Sequence, residues 1–527
     1  MAPAGPRGRG GGGILKIDEL YALLRRRGLL WPSAEIYGGT QGLYDYGPLG
    51  AKLKRRIEEA WAAWFLGLSP DYHRIEPAEI LPEAVVRASG HLENFTDPEV
   101  RCGHCHEAFR ADTVLEKVRP EGVDGLDPET IAGLLRDTGA RCPACGATDL
   151  SVPPPFQLMF GLDLGATGKE RGYLAPETAQ ASFLAFPRMW DVGRRSLPLG
   201  IAAVARAYRN EIAPRQVLFR MRSFTQAELE IFFDPAAFPV PFDAVADLPL
   251  PLLRADARRD GAGATTPTTA RDLVAAGGLP EFFVYHLARS YQFYHRVLGY
   301  PEHALRLFEK GPGERAFYNL LQFDIEAHLP SLGGFRELGA VHYRGGYDLD
   351  RHARGSGRDL SVVPTNRPRV LPHVLELTFG VDRNLWALAD LLLGTDGERT
   401  VWRLPAYLAP QPIAVFPLIR KEHGAEADRI AELLRDAGLP CVVDDAGTIG
   451  KRYARMDETG TPFCLTVDGA TVDPGDPSHG TVTVRERDGR GQERVRIPAL
   501  ADRLRPYLTY PRPGRPEAPP RPEGGAP

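Results

Sequence analysis

No run of about 20 apolar residues occurs anywhere in the 527-residue chain, so no membrane-spanning helix is expected. Cysteine is scarce. There are six, and four of them fall in two close pairs, which argues against a disulfide scaffold and for a metal. Charge of one sign is also lacking, with a formal net charge of −4. A dedicated nucleic-acid coat would be strongly basic. Any nucleic-acid contact must therefore use local patches such as Arg25-Arg26-Arg27, Lys52 to Arg56 or Arg194-Arg195. No Ser/His/Asp set stands out for nucleophilic catalysis. Met1 to Gly13 has no apolar core segment and reads as a disordered leader, not a secretory signal. The Pro-rich end, residues 511–527, reads as an extended tail. A cytoplasmic location is expected.

The chain is long enough for two to four domains with substantial cores. Its composition, 43% hydrophobic and 25% charged, is ordinary for a globular protein. Helical spacing marks Ile14 to Leu30, Leu49 to Phe65 and Phe282 to Leu298, and Tyr72 to Ile80 reads as extended. Ile201 to Tyr208 and Phe224 to Phe233 read as the arms of a long antiparallel hairpin with its turn at Pro214-Arg215-Gln216. That hairpin carries Arg209, Arg215, Arg220 and Arg222 beside Glu211, Glu228 and Glu230. Guanidinium forks suit phosphate, and carboxylates suit an ammonium group or a metal. The combination fits a nucleotide and a small amine, although a solvated charged hairpin would look the same.

Cys102-Gly103-His104-Cys105 and Cys142-Pro143-Ala144-Cys145 are two CxxC knuckles. Four thiolates from two knuckles read as a closed, structural zinc site. Cys441 and Cys464 stand alone as ordinary buried residues. Residues 236–280 shift towards Pro, Ala, Asp and Gly and are expected to form a variable, partly flexible insert. In Leu371 to Arg383 a strand puts Glu376 and Thr378 on one face, and a helix then carries Arg383. Beyond Pro412, strands and helices alternate, as in a separate α/β domain.

Several of these stretches resemble a known family. Arg209-Asn210-Glu211, a bend, then Phe219-Arg220-Met221-Arg222 resembles motif 2 of class II aminoacyl-tRNA synthetases. Glu35 to Gly50, Pro176-Glu177-Thr178-Ala179-Gln180, Phe335 to Leu349 and Leu371 to Arg383 narrow the resemblance to glycyl-tRNA synthetases. Ile449 to Glu458 followed by Thr461 to Val467 resembles their anticodon-binding domain.

The resemblance implies a mixed α/β (α+β) chain. A class II antiparallel-sheet catalytic domain would span 14–400, with a zinc-binding insert at 99–152 and the variable insert at 236–280. An anticodon-binding domain would follow at 405–510. It implies a homodimer formed through motif 1. The activity would be activation of glycine with ATP and Mg2+ to glycyl-adenylate, then transfer of glycine to tRNA(Gly). Arg209, Glu211 and Arg383 would be catalytic. Arg209, Asn210, Glu211, Phe219, Arg220, Phe224, Glu337, Leu338, Gly380 and Arg383 would bind ATP, with Glu337 acting through magnesium. Arg110, Glu177, Phe224, Gln226, Glu228, Arg344, Glu376 and Thr378 would bind the amino acid, with Arg344 facing its carboxylate. Cys102, Cys105, Cys142 and Cys145 would hold zinc.

The chain departs from the family pattern at Ala175, Ala181, Ser223, Gly346, Leu377 and Thr378. Two other readings therefore stay open. One is a paralogue that passes an activated small amino acid to a non-tRNA acceptor. The other is a non-catalytic RNA-binding protein, in which Lys451, Arg452 and Arg455 could meet phosphate.

Overall fold

The computed structural model describes residues 16–115, 123, 126–259, 265–276, 278–365 and 367–514. The expected leader and the tail from 515 onward lie outside these residues. The first helix, α1 (Ile17–Arg26), is shorter than the helical spacing suggests and buries Leu20, Leu23 and Leu24. Pro48 starts α2 (Pro48–Phe65), where its missing N–H leaves no helical bond unmade. The face of α2 carrying Leu53, Ile57, Trp61, Trp64 and Phe65 is buried.

The stretch from Tyr72 to Ile80 breaks into two strands. The first, β1 (Tyr72–Ile75), enters the main sheet, and Ile80–Pro82 joins a small sheet with Gly161–Leu164 and Glu170–Leu174. Then follow α3 (Ala179–Val192), β2 (Leu199–Tyr208), β3 (Ser223–Phe233), β4 (Pro249–Leu253), β5 (Thr266–Thr269) and α4 (Glu281–Gln292). The unit closes with β6 (Leu305–Glu309), β7 (Leu321–Leu329), β8 (Gly334–Gly345), α5 (Tyr347–Ser356), β9 (His373–Gly380) and α6 (Val381–Leu392). The nine strands form one sheet in the order β5-β4-β6-β7-β8-β9-β3-β2-β1. All neighbours run antiparallel except β1 with β2 and β4 with β6.

Period-2 alternation in β3 sets up the site. Ala227, Leu229, Ile231 and Phe233 enter the large core together with residues of α2, α4 and α6. Gln226, Glu228 and Glu230 alternate with them and so share the opposite face. On that second face Phe232 joins Phe183 and Phe186 of α3 in a smaller core. Residues 236–280, expected to be partly flexible, supply β4 and β5 at the sheet edge. Of the two, β5 is the edge strand, and β4 pairs with β6 only at Leu252 and Leu253, so Pro249 and Pro251 lie where β4 has a neighbour on one side alone.

The C-terminal unit contains β10 (Ile413–Pro417), α7 (Arg420–Asp436), β11 (Cys441–Val443), α8 (Ile449–Glu458), β12 (Phe463–Val467), β13 (Thr481–Glu486) and β14 (Gln492–Arg496). Its sheet order is β11-β10-β12-β13-β14, parallel in the first two pairs and antiparallel afterwards. Arg399, which precedes this unit, reaches Asp457 of α8, and Asp457 also accepts from Arg485 of β13 at 3.2 Å. Arg452 does not face solvent. It is buried and donates to the carbonyls of Pro417, Asp445 and Gly447, while Arg455 pairs with Asp444. Of the three basic residues considered for phosphate, Lys451 alone is exposed. No described helix is long and apolar enough to cross a membrane.

Candidate active site

The hairpin pairs Leu199 with Phe232 through to Tyr208 with Ser223. The connection is longer than a turn at 214–216. Residues 209–222 form a loop with its own helical turn, Val217–Phe219, and with Gln216 and Val217 at φ of 59° and 51°. Both ends of the loop are tied down. The Asn210 N–H donates to Leu158 O at 2.7 Å, and the Arg222 N–H to Gly42 O at 2.8 Å. A Cβ on Gly42 would lie 2.7 Å from Pro214, so this close approach needs glycine.

The Arg209 guanidinium lies between two rings, 5.2 Å from the Phe95 centroid and 5.3 Å from that of Phe224. Arg220 pairs with Glu211 at 3.1 Å, and Arg383, in the first turn of α6, pairs with Glu337 at 3.1 Å. These groups surround a cavity of about 180 Å³. All the residues expected to meet ATP line it except Asn210, whose N–H is committed to Leu158. Gln226 and Thr378 reach the same wall and join it to a second cluster.

That cluster is built across three strands. Glu228 lies opposite Thr378 and Glu230 opposite Glu376, while His342 of β8 lies opposite Glu376 on the other side. Glu228 accepts from the Thr178 N–H at 3.1 Å, from the Thr178 hydroxyl, and from Gln226 Nε2 at 2.9 Å. Thr378 Oγ1 donates to Glu376 at 2.5 Å and lies 3.4 Å from Glu228 Oε1. Glu376 also accepts from His342 Nδ1 at 2.7 Å and from Arg344. Glu177 accepts from Gln180 at 2.9 Å, with His91 Nε2 3.5 Å from its other oxygen. Ser89 holds the far side of that imidazole at 2.8 Å.

Burial opposes charge on all these carboxyls, and the outcome depends on their partners. For Glu177, His91, Arg344 and Gln180 outweigh burial and hold it well below the usual carboxylate range. For Glu376, Arg344 and His342 do the same. Glu228 is pushed up to about 8 by burial and by the neighbouring Glu376 and Glu177.

Two residues expected to touch the amino acid are engaged in buried ion pairs. Arg110 is buried between Asp97 and Asp112 and does not line the cavity. Arg344, 1% exposed, lies under the Tyr318 ring at 3.9 Å and donates to Asp348 and Glu376. In this arrangement it organises carboxylates instead of facing open space. His352 is buried and bonds Gln180 at 2.8 Å. His91, His342 and Asp348 were not singled out as site residues by sequence, whereas Glu230 was named with Glu228 on the hairpin but given no separate role.

The departures are accommodated locally. Ala175 packs with Leu81, Val86 and Met159, and Ser223 accepts from Arg206 at 3.1 Å. Gly346 is the N-cap of α5. Glycine in that position costs only a few tenths of a kcal/mol relative to a good cap.

The cysteine knuckles are built alike. Cys102 and Cys142 donate N–H to Glu107 O and Ala147 O, and their carbonyls accept from His106 and Gly146. His106 and Gly146, at matching positions, have φ of 61° and 75°. The four Sγ atoms lie within 4.8 Å of one another, and the Cys102–Cys145 and Cys105–Cys142 separations are both 3.6 Å. Tetrahedral zinc with bonds of about 2.3 Å needs sulfurs roughly 3.8 Å apart, so these residues fit the ion.

Comparison with known proteins gives three findings. The family described as "Anticodon binding domain" matches residues 412–506. The glycine--tRNA ligase of Thermococcus gammatolerans is 37% identical, covering 94% of this chain and 98% of its own length. That of Methanothermobacter thermautotrophicus is 36% identical, covering 92% and 98%. Among solved structures, prolyl-tRNA synthetase from Cryptosporidium parvum aligns over 93% of this chain and 75% of its own, with a TM-score of 0.56 at 13% identity, a likeness of fold alone.

Proposed function

Because the chain belongs to the glycine--tRNA ligase family, we propose that its arginine-lined cavity and its carboxylate cluster are the ATP and glycine sites of that reaction. The enzyme joins glycine to tRNA(Gly). The observation that carries the site reading is the shared wall of Gln226 and Thr378, which sets an amine-binding cluster directly against a phosphate-binding one.

Glycine activation needs no side-chain nucleophile. The carboxylate oxygen of glycine attacks the α-phosphorus of ATP, the bond to the β-phosphate bridge breaks, and pyrophosphate leaves. Arg209, fixed between two rings and donating from Nε to Pro176 O at 3.2 Å, meets the charge developing on the α-phosphate. Arg383 is placed for the departing phosphates, and Glu211 keeps Arg220 in the wall. Glu177, Glu228 and Glu376 surround the ammonium group and fix the substrate for in-line attack. In the second step the terminal ribose hydroxyl of the tRNA attacks the glycyl carbonyl and AMP leaves. Glycine has no side chain to grip. Selection must come from space, because one methylene is worth only about 1–3 kcal/mol in binding. The hydroxyl of Thr378 is held by Glu376, which fixes that side chain beside the amine.

Glu337, in the cavity wall, offers the hard oxygen that Mg2+ prefers. Bound magnesium would neutralise phosphate charge. Zinc would sit among the four cysteines and tie the insert together. The enzyme works as a cytoplasmic homodimer. The pairing is supported by β1, an edge strand with an adjoining cleft of about 460 Å³ lined by Asp71, His73, Trp190 and Val192. That cleft is separate from both clusters. The functional test is charging of a tRNA(Gly) transcript with labelled glycine by purified protein. Charging with glycine, and none with alanine, supports the reading. Glycine activation without charging would favour a non-tRNA acceptor instead.

A further inference from the structure

Glu230 is 0% exposed, and neither carboxyl oxygen has a hydrogen-bond partner. It stands on the polar face of β3, two residues from Glu228 and directly across from Glu376. Its charged surroundings are Glu228 on its own strand, Glu376 on β9, Arg344 on β8 and Glu177 before α3. The cations there are already committed. Arg344 gives Nε and Nη2 to Asp348 and Nη1 to Glu376, and His342 gives Nδ1 to Glu376. Glu228, by contrast, accepts from Thr178 and Gln226. An isolated buried carboxylate is far more costly than a neutral carboxyl. Glu230, with neither a donor nor a counter-charge of its own, is therefore the carboxyl that stays protonated when the amine is bound.

We infer that Glu230 is a neutral positioning residue beneath the amine pocket, a fourth carboxyl across from Glu376 and two residues from Glu228 that fills its place without adding charge, so that the pocket takes a single ammonium group. The inference rests on the carboxylate cluster being the amine site. Burial, then Glu376 and Glu228, push the Glu230 carboxyl well above the usual range, in agreement with the geometry. Glycine brings one positive charge, which Glu177, Glu228 and Glu376 claim. An ionised Glu230 below them would have no counter-charge.

The test is the pH dependence of glycine KM in ATP–pyrophosphate exchange, measured on the full chain. Glu230→Leu replaces the buried carboxyl with a branched apolar side chain beside Glu228 and Glu376 and raises glycine KM about tenfold with ATP KM unmoved. Glu230→Gln, a neutral mimic of the protonated acid, recovers most of that loss. It also keeps the pH midpoint of the wild type. A midpoint shifted to lower pH in Glu230→Gln would show that a charge next to Glu228 had been removed and would overturn the inference. If Glu228→Gln leaves glycine KM unchanged, the amine-site reading fails, and this inference with it. Should Glu230→Gln not fold, infrared spectroscopy of the wild type with glycine and a non-hydrolysable ATP analogue at pH 8.5 decides the matter. A protonated-carboxyl band is expected, and its absence would contradict the assignment.

Discussion

Glycine offers a protein only an ammonium group and a carboxylate, so the ionisation of Glu228 is a direct reporter of the amine site. Burial beside Glu376 and Glu177 pushes this carboxyl up to about 8. In the empty pocket at neutral pH it is protonated, and ammonium binding favours its ionised form. Binding therefore releases a proton, and glycine affinity improves as pH rises. Glycine KM should fall about tenfold per pH unit below about 8 and level off above it. A KM independent of pH between 6 and 9 would contradict this. In the proposed reading Arg209 carries the other half of the chemistry. Arg209→Ala should lower kcat by about 10²–10³-fold, with only a modest change in glycine KM, because the residue meets charge that develops in the transition state. Single-turnover adenylate formation would show it.

At the scale of elements, the cysteine-bearing insert leans on the long hairpin. Arg215 donates to Thr113 Oγ1 at 3.2 Å, and the N–H of Asn210 donates to Leu158 just beyond the insert. Removing the metal should unfold the insert, since few apolar residues hold it. After chelation we expect new proteolytic cleavage within 99–152 and an ATP KM raised about three- to tenfold. Limited proteolysis alongside exchange kinetics checks both.

The hairpin itself was legible in sequence because its apolar and polar residues alternate over two long runs. Its turn was misplaced because residues 209–222 are tied to Gly42 and Leu158, contacts that no local pattern reveals. The insert at 236–280 looked irregular because its strands carry prolines, which are tolerated where β5 forms the edge and where β4 is paired on one side alone. Among site residues, the motifs located the arginines and three of the carboxylates. They did not show that Arg344 is sealed under Tyr318, or that His91, His342 and Glu230 meet those carboxylates from other elements. Such meetings depend on strand register, which is a tertiary fact.

At the scale of the molecule, the two units are joined by buried charge. Asp457, fully buried, accepts from Arg399 on one side and Arg485 on the other. Asp457→Ala would leave the buried Arg485 without its carboxylate, while Arg399 keeps Asp396 at 2.6 Å, and should cost about 3–5 kcal/mol in the C-terminal unit. Glycine-dependent exchange should persist while tRNA charging falls, because the proposed activation site takes no lining residue from the C-terminal unit. Parallel exchange and charging assays on one preparation, with a thermal melt, would separate these effects.

The central claim is that this site activates glycine and rejects larger amino acids. Its most direct test is ATP–pyrophosphate exchange by purified, zinc-loaded protein with glycine, alanine and serine in turn. The account predicts robust exchange with glycine and at least a hundredfold lower kcat/KM with alanine, a discrimination of roughly 2.7 kcal/mol. Equal exchange with alanine, or none with glycine, would contradict it.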